Sequence, residues 1–120
     1  YGGNPLGCAV ASAVLDEVAA PEFLAEVSRN SGALRQGLEG LVAQYPDVFA
    51  GVTGAGLMLG LKCKASNMDV VTAGYDCEVL TVPAAENVVR VLPALTISNG
   101  EIAQALERLE TVAQTVQSAQ

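Results

Sequence analysis

Val52-Thr53-Gly54-Ala55-Gly56-Leu57-Met58-Leu59-Gly60-Leu61-Lys62-Cys63-Lys64 is the stretch in which the periodicity of the chain changes. Upstream of it, apolar residues recur at the i, i+3, i+4 spacing of a helix. Within it, glycines punctuate an apolar run centred on Leu57-Met58-Leu59-Gly60-Leu61, which reads as a β-strand whose glycines allow a bulge or a close backbone approach. Toward the N-terminus, Phe23, Leu24, Val27, Leu34, Leu38, Leu41 and Val42 form the stripe of a helix from Pro21 to about Tyr45, closed by Pro46-Asp47. Gly32, Gly37 and Gly40 weaken its propensity, so tertiary packing must hold it. Before it, residues 5 to about 20 read as a helix with Leu6, Val10, Val14, Leu15 and Val18 apolar. That helix is apolar over much of its circumference, so burial on more than one side is expected.

Toward the C-terminus, Ser66 and Asn67 offer a cap for a short helix from Met68 to about Cys77. Val79 to Val82 and Val88 to Leu92 are two short strands joined by Pro83-Ala84-Ala85-Glu86-Asn87, a spacing that suits a hairpin. Ser98-Asn99-Gly100-Glu101 is a capping box, and it opens a last helix that runs to about Val116. The order α-α-β-α-β-β-α predicts an α+β fold, an α/β sandwich: a small, mostly antiparallel sheet with helices covering mainly one face. At 120 residues the whole chain, 1–120, reads as one domain with one core.

Composition narrows the function. A net charge of −7 argues against a nucleic-acid partner, whose phosphates demand a basic face. No apolar run approaches the length of a membrane span, so no membrane partner is expected. There is no histidine, which excludes a Ser-His-Asp or Cys-His machine within this chain and disfavours a zinc site. Cys8, Cys63 and Cys77 are odd in number and far apart, as befits buried or half-buried free thiols of a reducing cytoplasm.

Gly54-Ala55-Gly56-Leu57-Met58-Leu59-Gly60 imitates a dinucleotide fingerprint, with Asp76 lying 20 residues past Gly56. A true fingerprint follows a strand and opens a helix, whereas these glycines precede an apolar strand. Lys62 and Lys64 are the only lysines, two apart at the tail of a strand, and read as solvated. Pairs such as Asp16-Glu17 and Glu107-Glu110 read as solvated helix faces. Arg90, in Asn87-Val88-Val89-Arg90-Val91-Leu92-Pro93-Ala94-Leu95, is the one candidate for direct chemistry. Alternation puts Val89 and Val91 on one face of its strand and Val88, Arg90 and Leu92 on the other. An arginine among apolar neighbours needs an anion or solvent, and its planar fork fits a carboxylate in two parallel hydrogen bonds. The residues alone favour a solvated arginine on an edge strand.

The first nine residues, Tyr1-Gly2-Gly3-Asn4-Pro5-Leu6-Gly7-Cys8-Ala9, form a loop that breaks into a helix, with Asn4 as N-cap and Pro5 at the first helical position. This run resembles the Tyr-Gly-Gly-Asn-Pro-Leu-(Ala/Gly)-Cys-Ala segment of class-III (subgroup II) aminotransferases. Gly54 to Leu61 resembles the Gly-x-Gly-Leu-Met-Leu-Gly-(Leu/Ile) strand of the same family, and Arg90 to Leu95 its Arg-(Leu/Phe/Val)-x-Pro-Pro-Leu segment, with Ala94 in place of the second proline.

The resemblance implies the C-terminal small domain of a fold-type-I enzyme that uses pyridoxal phosphate (PLP), lacking its N-terminal large domain. The family's Schiff-base lysine, its pyridine-nitrogen aspartate and most phosphate ligands lie upstream, so no catalytic or cofactor-binding residue is assigned here. Tyr1, Gly2, Gly3 and Asn4 are expected to shape the loop. By the resemblance, Arg90 binds the α-carboxylate of amino-acid and 2-oxoglutarate substrates, overriding the solvated reading. A cytoplasmic homodimer is implied, and the isolated segment should be inactive, with PLP not bound to it. The competing reading is a free-standing α/β interaction module that never held the cofactor.

Overall fold

The computed structural model describes residues 2–119. The elements run α1 (Pro5–Val18), α2 (Pro21–Gln44), β1 (Phe49–Ala55), β2 (Met58–Cys63), α3 (Asn67–Asp76), β3 (Val82–Ala84), β4 (Val88–Val91) and α4 (Asn99–Ser118). The strands form one antiparallel sheet in the order β1-β2-β4-β3. α2 and α3 lie against the sheet and α4 packs on both. This is the α+β architecture expected from the order of periodicities.

Alternation builds the core. Leu59, Leu61, Val89 and Val91 point from the two middle strands toward the helices and are buried. They meet Leu34, Leu38 and Leu41 of α2, Val70 and Val71 of α3, and Ile102, Leu109 and Val112 of α4. Each fully buried Leu or Val is worth about 1.5–3 kcal/mol relative to exposure. Gly37 earns its place in α2 by proximity, because a Cβ there would run into the Leu106 methyls of α4. α2 also buries one polar side chain, Asn30, whose Nδ2 donates to the Ile97 carbonyl at 2.7 Å. The bond ties the helix to the segment that leads into α4.

Two helix starts follow the sequence, while at α3 the Ser66 side chain makes no cap bond. Asn4 Oδ1 accepts from the Gly7 N–H at 3.1 Å, and Pro5 occupies the first turn. The Ser98–Glu101 box is formed both ways: the Ser98 N–H donates to Glu101 Oε2 at 2.8 Å, and the Glu101 N–H donates to Ser98 Oγ at 3.3 Å.

Four expectations need correction. The stretch 52–64 is a hairpin rather than one strand, with Gly56-Leu57 at its tip. Gly54 and Gly56 take φ of 97° and 56°, left-handed angles that a turn inside an apolar run requires. The second hairpin starts later than expected, at Val82, and Pro83 lies within β3 instead of the loop. β3 is an edge strand, where a proline need not break the ladder. β4 is therefore not an edge strand, since it lies between β2 and β3. Lastly, α1 has no buried residue: Leu6 is 74% and Leu15 64% exposed. The radius of gyration, 16.6 Å, exceeds the roughly 14 Å of a compact chain of this length, consistent with a helix that projects.

Candidate functional site

Arg90 stands at the centre of the sheet face that carries no helix. Registers place it opposite Gly60 on β2, which is opposite Thr53 on β1, while Val82 flanks it on β3. The row across the sheet is thus Val82, Arg90, Gly60, Thr53. A shallow pocket of about 160 Å³ opens there, lined by Thr53, Gly54, Met58, Leu59, Gly60, Val88, Arg90 and Leu92. Arg90 and Thr53 are its polar side chains, and the remaining walls are apolar or glycine.

The absence of a side chain at Gly60 shapes this floor. A Cβ there would stand 2.7 Å from Val88 Cγ1, closer than real Cβ contacts come, and a tight 3.2 Å from Thr53 Cγ2. Val88 and Thr53 lean into space that any other residue would fill.

Of the three other arginines, Arg35 and Arg108 have acidic partners, and Arg29 on α2 has none among the described residues. Arg35 pairs with Glu39 at 3.7 Å and donates to the Gly54 carbonyl. Arg108 pairs with Glu78 at 3.1 Å and donates to its carbonyl. Arg90 has no ion pair or hydrogen bond among the described residues, and Met58 and Leu92 beside it are 71% and 47% exposed. A cation flanked by exposed apolar side chains is an anion site in form.

The strand that holds Arg90 is anchored by two asparagines that the sequence placed only as a helix-cap candidate, Asn67, and a loop residue, Asn87. Asn87 Nδ2 donates to the carbonyls of Cys63 and Ala65, both at 2.8 Å. Its Oδ1 accepts from the Asn67 N–H at 2.9 Å. Asn67 Nδ2 in turn donates to the carbonyls of Ala84 and Val88 at 3.0 and 3.1 Å. Asn87 takes φ of 57°, an angle that asparagine tolerates better than most residues. These bonds lock the β3–β4 turn to the end of β2 and the start of α3, three residues before Arg90. The Glu86-Asn87 pair was the only local hint, since the partners lie 17 to 24 residues away.

Lys62 and Lys64 are exposed, as the sequence suggested. Asp16, Glu17 and Glu107 are exposed too, but Glu110 is half-buried and accepts from Gln44 Nε2 at 2.8 Å and from the Tyr45 hydroxyl at 3.2 Å. Cys63 is buried, and burial pushes its thiol up to about 11, with the Val89 backbone hydrogen bond opposing the shift. Cys77 is half-buried, whereas Cys8, on α1, is exposed, against expectation. Among the described residues no cluster could hold a metal ion, and no helix is long and apolar enough to cross a membrane. Gly2 and Gly3 adopt φ of 59° and 72° in the loop before α1, while Tyr1 lies outside the described residues.

Neither lysine supplies the desolvated amine that a pyridoxal phosphate Schiff base favours. These residues therefore do not form that cofactor's attachment point. What they do form is an open pocket on the sheet face, with the Arg90 guanidinium as its one cation.

Comparison with known proteins bears on the family and the fold. Residues 1–113 match the sequence model described as aminotransferase class-III. The acetylornithine aminotransferase of Rhodobacter capsulatus is 56% identical over 118 residues, which cover 98% of this chain and 30% of that protein. The acetylornithine aminotransferase of Mesorhizobium japonicum is 47% identical over 109 residues, covering 91% of this chain and 27% of that protein. A crystal structure of N-acetylornithine aminotransferase from Stenotrophomonas maltophilia superposes with a TM-score of 0.90 at 34% identity, over 98% of this chain and 33% of that one. The chain thus spans about a third or less of the length of the relatives it matches. With this match across nearly its whole length, the chain belongs to the class-III aminotransferase family.

Proposed function

We propose that this chain is the C-terminal small domain of an acetylornithine aminotransferase, and that Arg90 binds the α-carboxylates of N-acetylornithine and 2-oxoglutarate. The reaction would move the δ-amino group of the first to the second, in arginine biosynthesis in the cytoplasm. The observation that carries this reading is the unpartnered guanidinium of Arg90 in the apolar pocket of the open sheet face. Both substrates carry an α-carboxylate, so one fixed fork can orient either. Pyridoxal phosphate would supply the electron sink for amino transfer and would be held by the large domain of the parent.

The contribution of these residues is positional. The sheet fixes the β4 backbone, the Asn67–Asn87 bonds fix its approach, and the guanidinium fixes one end of the substrate. Holding the carboxylate leaves the far amine free to reach the reacting centre, which is the use of a binding clamp in lowering the entropy cost of reaction. The exposed apolar sides of α1, with Val10 and Val14 each 55% exposed, would be covered by the large domain and by the partner subunit of a homodimer.

The test is an amino-donor panel on the full-length protein that carries this segment, with N-acetylornithine, N-succinylornithine, ornithine and 4-aminobutyrate against 2-oxoglutarate. N-acetylornithine should give the highest kcat/KM, and the isolated 120-residue chain should be inactive and should self-associate. A preference for another of the four donors would move the protein to a sister activity within the family. Turnover by the isolated chain would overturn the reading.

A further inference from the structure

We propose that Thr53 is a second carboxylate-binding residue, donating its hydroxyl to the same carboxylate that Arg90 grips, and that Gly60 between them keeps the seat open. This deepens the reading of Arg90 as a substrate ligand and rests on it.

The argument begins with lone pairs. A carboxylate offers about four acceptor sites, and a bidentate arginine fork occupies two of them. Of the other side chains lining the pocket, those of Met58, Val88 and Leu92 offer a carboxylate no donor. A carboxylate seated in this shallow pocket keeps the lone pairs that the fork does not occupy, and a fixed donor beside it can take one of them in place of water. Thr53 is the only other side chain lining the pocket that can donate. Its hydroxyl has no hydrogen-bond partner among the described residues, although the residue is half-buried.

Position supports the pairing. Thr53 and Arg90 lie on the same row and the same face, separated by one strand. Two strand spacings put their backbones roughly 10 Å apart. That gap leaves room for a carboxylate between a long side chain and a short one, provided that the residue in the middle has no bulk. The middle residue is Gly60, where a Cβ would displace Val88 or Thr53. Any larger residue would push one of these walls into the seat.

The experiment uses the full-length holoenzyme and four variants, Thr53→Val, Thr53→Ser, Gly60→Ala and Arg90→Lys. Three quantities are read: the dissociation constant of glutarate by calorimetry, KM against kcat for both substrates, and Tm. Thr53→Val keeps the shape and the strand preference but removes the donor. It should raise the glutarate Kd and both KM values by roughly tenfold or more, the loss of a hydrogen bond to a charged group, with kcat and Tm nearly unchanged. Thr53→Ser keeps the hydroxyl and should stay within about threefold of the parent. Gly60→Ala should weaken glutarate binding as well, together with a fall in Tm. Should the valine variant fold poorly, Thr53→Ala provides the same comparison against Thr53→Ser.

If Thr53→Val leaves Kd and KM within twofold while Arg90→Lys raises them at least tenfold, Arg90 works alone and the proposal is overturned, with the reading of Arg90 intact. If the serine variant loses as much as the valine variant, the methyl and not the hydroxyl matters, and the proposal is again overturned. If Arg90→Lys has no effect either, the reading of Arg90 falls with it.

Discussion

The two faces of the sheet are made by the same strands and have opposite fates. Leu59, Leu61, Val89 and Val91 turn inward and are 0–8% exposed. One residue over, Met58 is 71% exposed, and Arg90 is solvated with no partner. The difference teaches how a small sheet divides its labour. Period-2 alternation hands every second residue to stability and leaves the others free for recognition. An arginine on the helix-covered face would have needed a buried counter-charge. On the open face it needs none until a ligand arrives.

That comparison can be broken or sharpened by substitution. The largest effect on stability is expected from the inner face. Leu61→Ala, at a site with no exposure, should destabilise the chain by about 2–5 kcal/mol, read from the denaturant midpoint. A loss below about 1 kcal/mol would mean that the inner face is not the core described here. The next largest effect should come from the asparagine clamp that anchors β4. Asn87→Ala removes two donations to carbonyls and one acceptance, and should cost about 1–3 kcal/mol. Asn87→Gly keeps the left-handed angle and should cost less than Asn87→Ala, which separates backbone strain from hydrogen bonding. The smallest effect concerns the α4 cap. The backbone and hydroxyl hydrogen bonds of Ser98 hold the exposed Glu101 carboxyl below its ordinary value. A depressed folded-state value stabilises the fold above the unfolded value and is lost as pH falls through the folded one. Acid titration from pH 5 to about pH 3 should therefore destabilise wild type more than Glu101→Gln; equal slopes would remove the cap from the account.

How much of this was visible in the sequence depended on the range of the interaction. The capping box, the Asn4 cap and the core stripe of α4 are local patterns, and they read correctly, as does the α2 stripe from Leu34 on, whereas Leu24 at its start is 51% exposed. The turn at Gly56-Leu57 did not, because apolar residues continue through it and mask the reversal. Pro83 read as loop because edge position is a property of strand order, which follows from long-range pairing. The Asn67–Asn87 clamp was invisible for the same reason, since each partner is far away in the chain. α1 read as a buried helix from its apolar circumference, yet the rest of this chain buries no residue of it and half-covers only Val18 at its end. The face carrying Arg90 was legible from alternation alone. The gap opposite it at Gly60 required the register.

The central claim is that the open face binds substrate carboxylate through Arg90 without contributing to the core. The direct measurement is kcat/KM for N-acetylornithine and for 2-oxoglutarate in the full-length Arg90→Lys enzyme, with Tm measured alongside. Lysine keeps the charge and loses the planar fork. We predict a fall of roughly 10–1,000-fold for both substrates, each factor of ten being about 1.4 kcal/mol, with Tm and the cofactor absorbance essentially unchanged. Values within about twofold of wild type for both substrates would contradict the account and leave Arg90 an ordinary solvated residue.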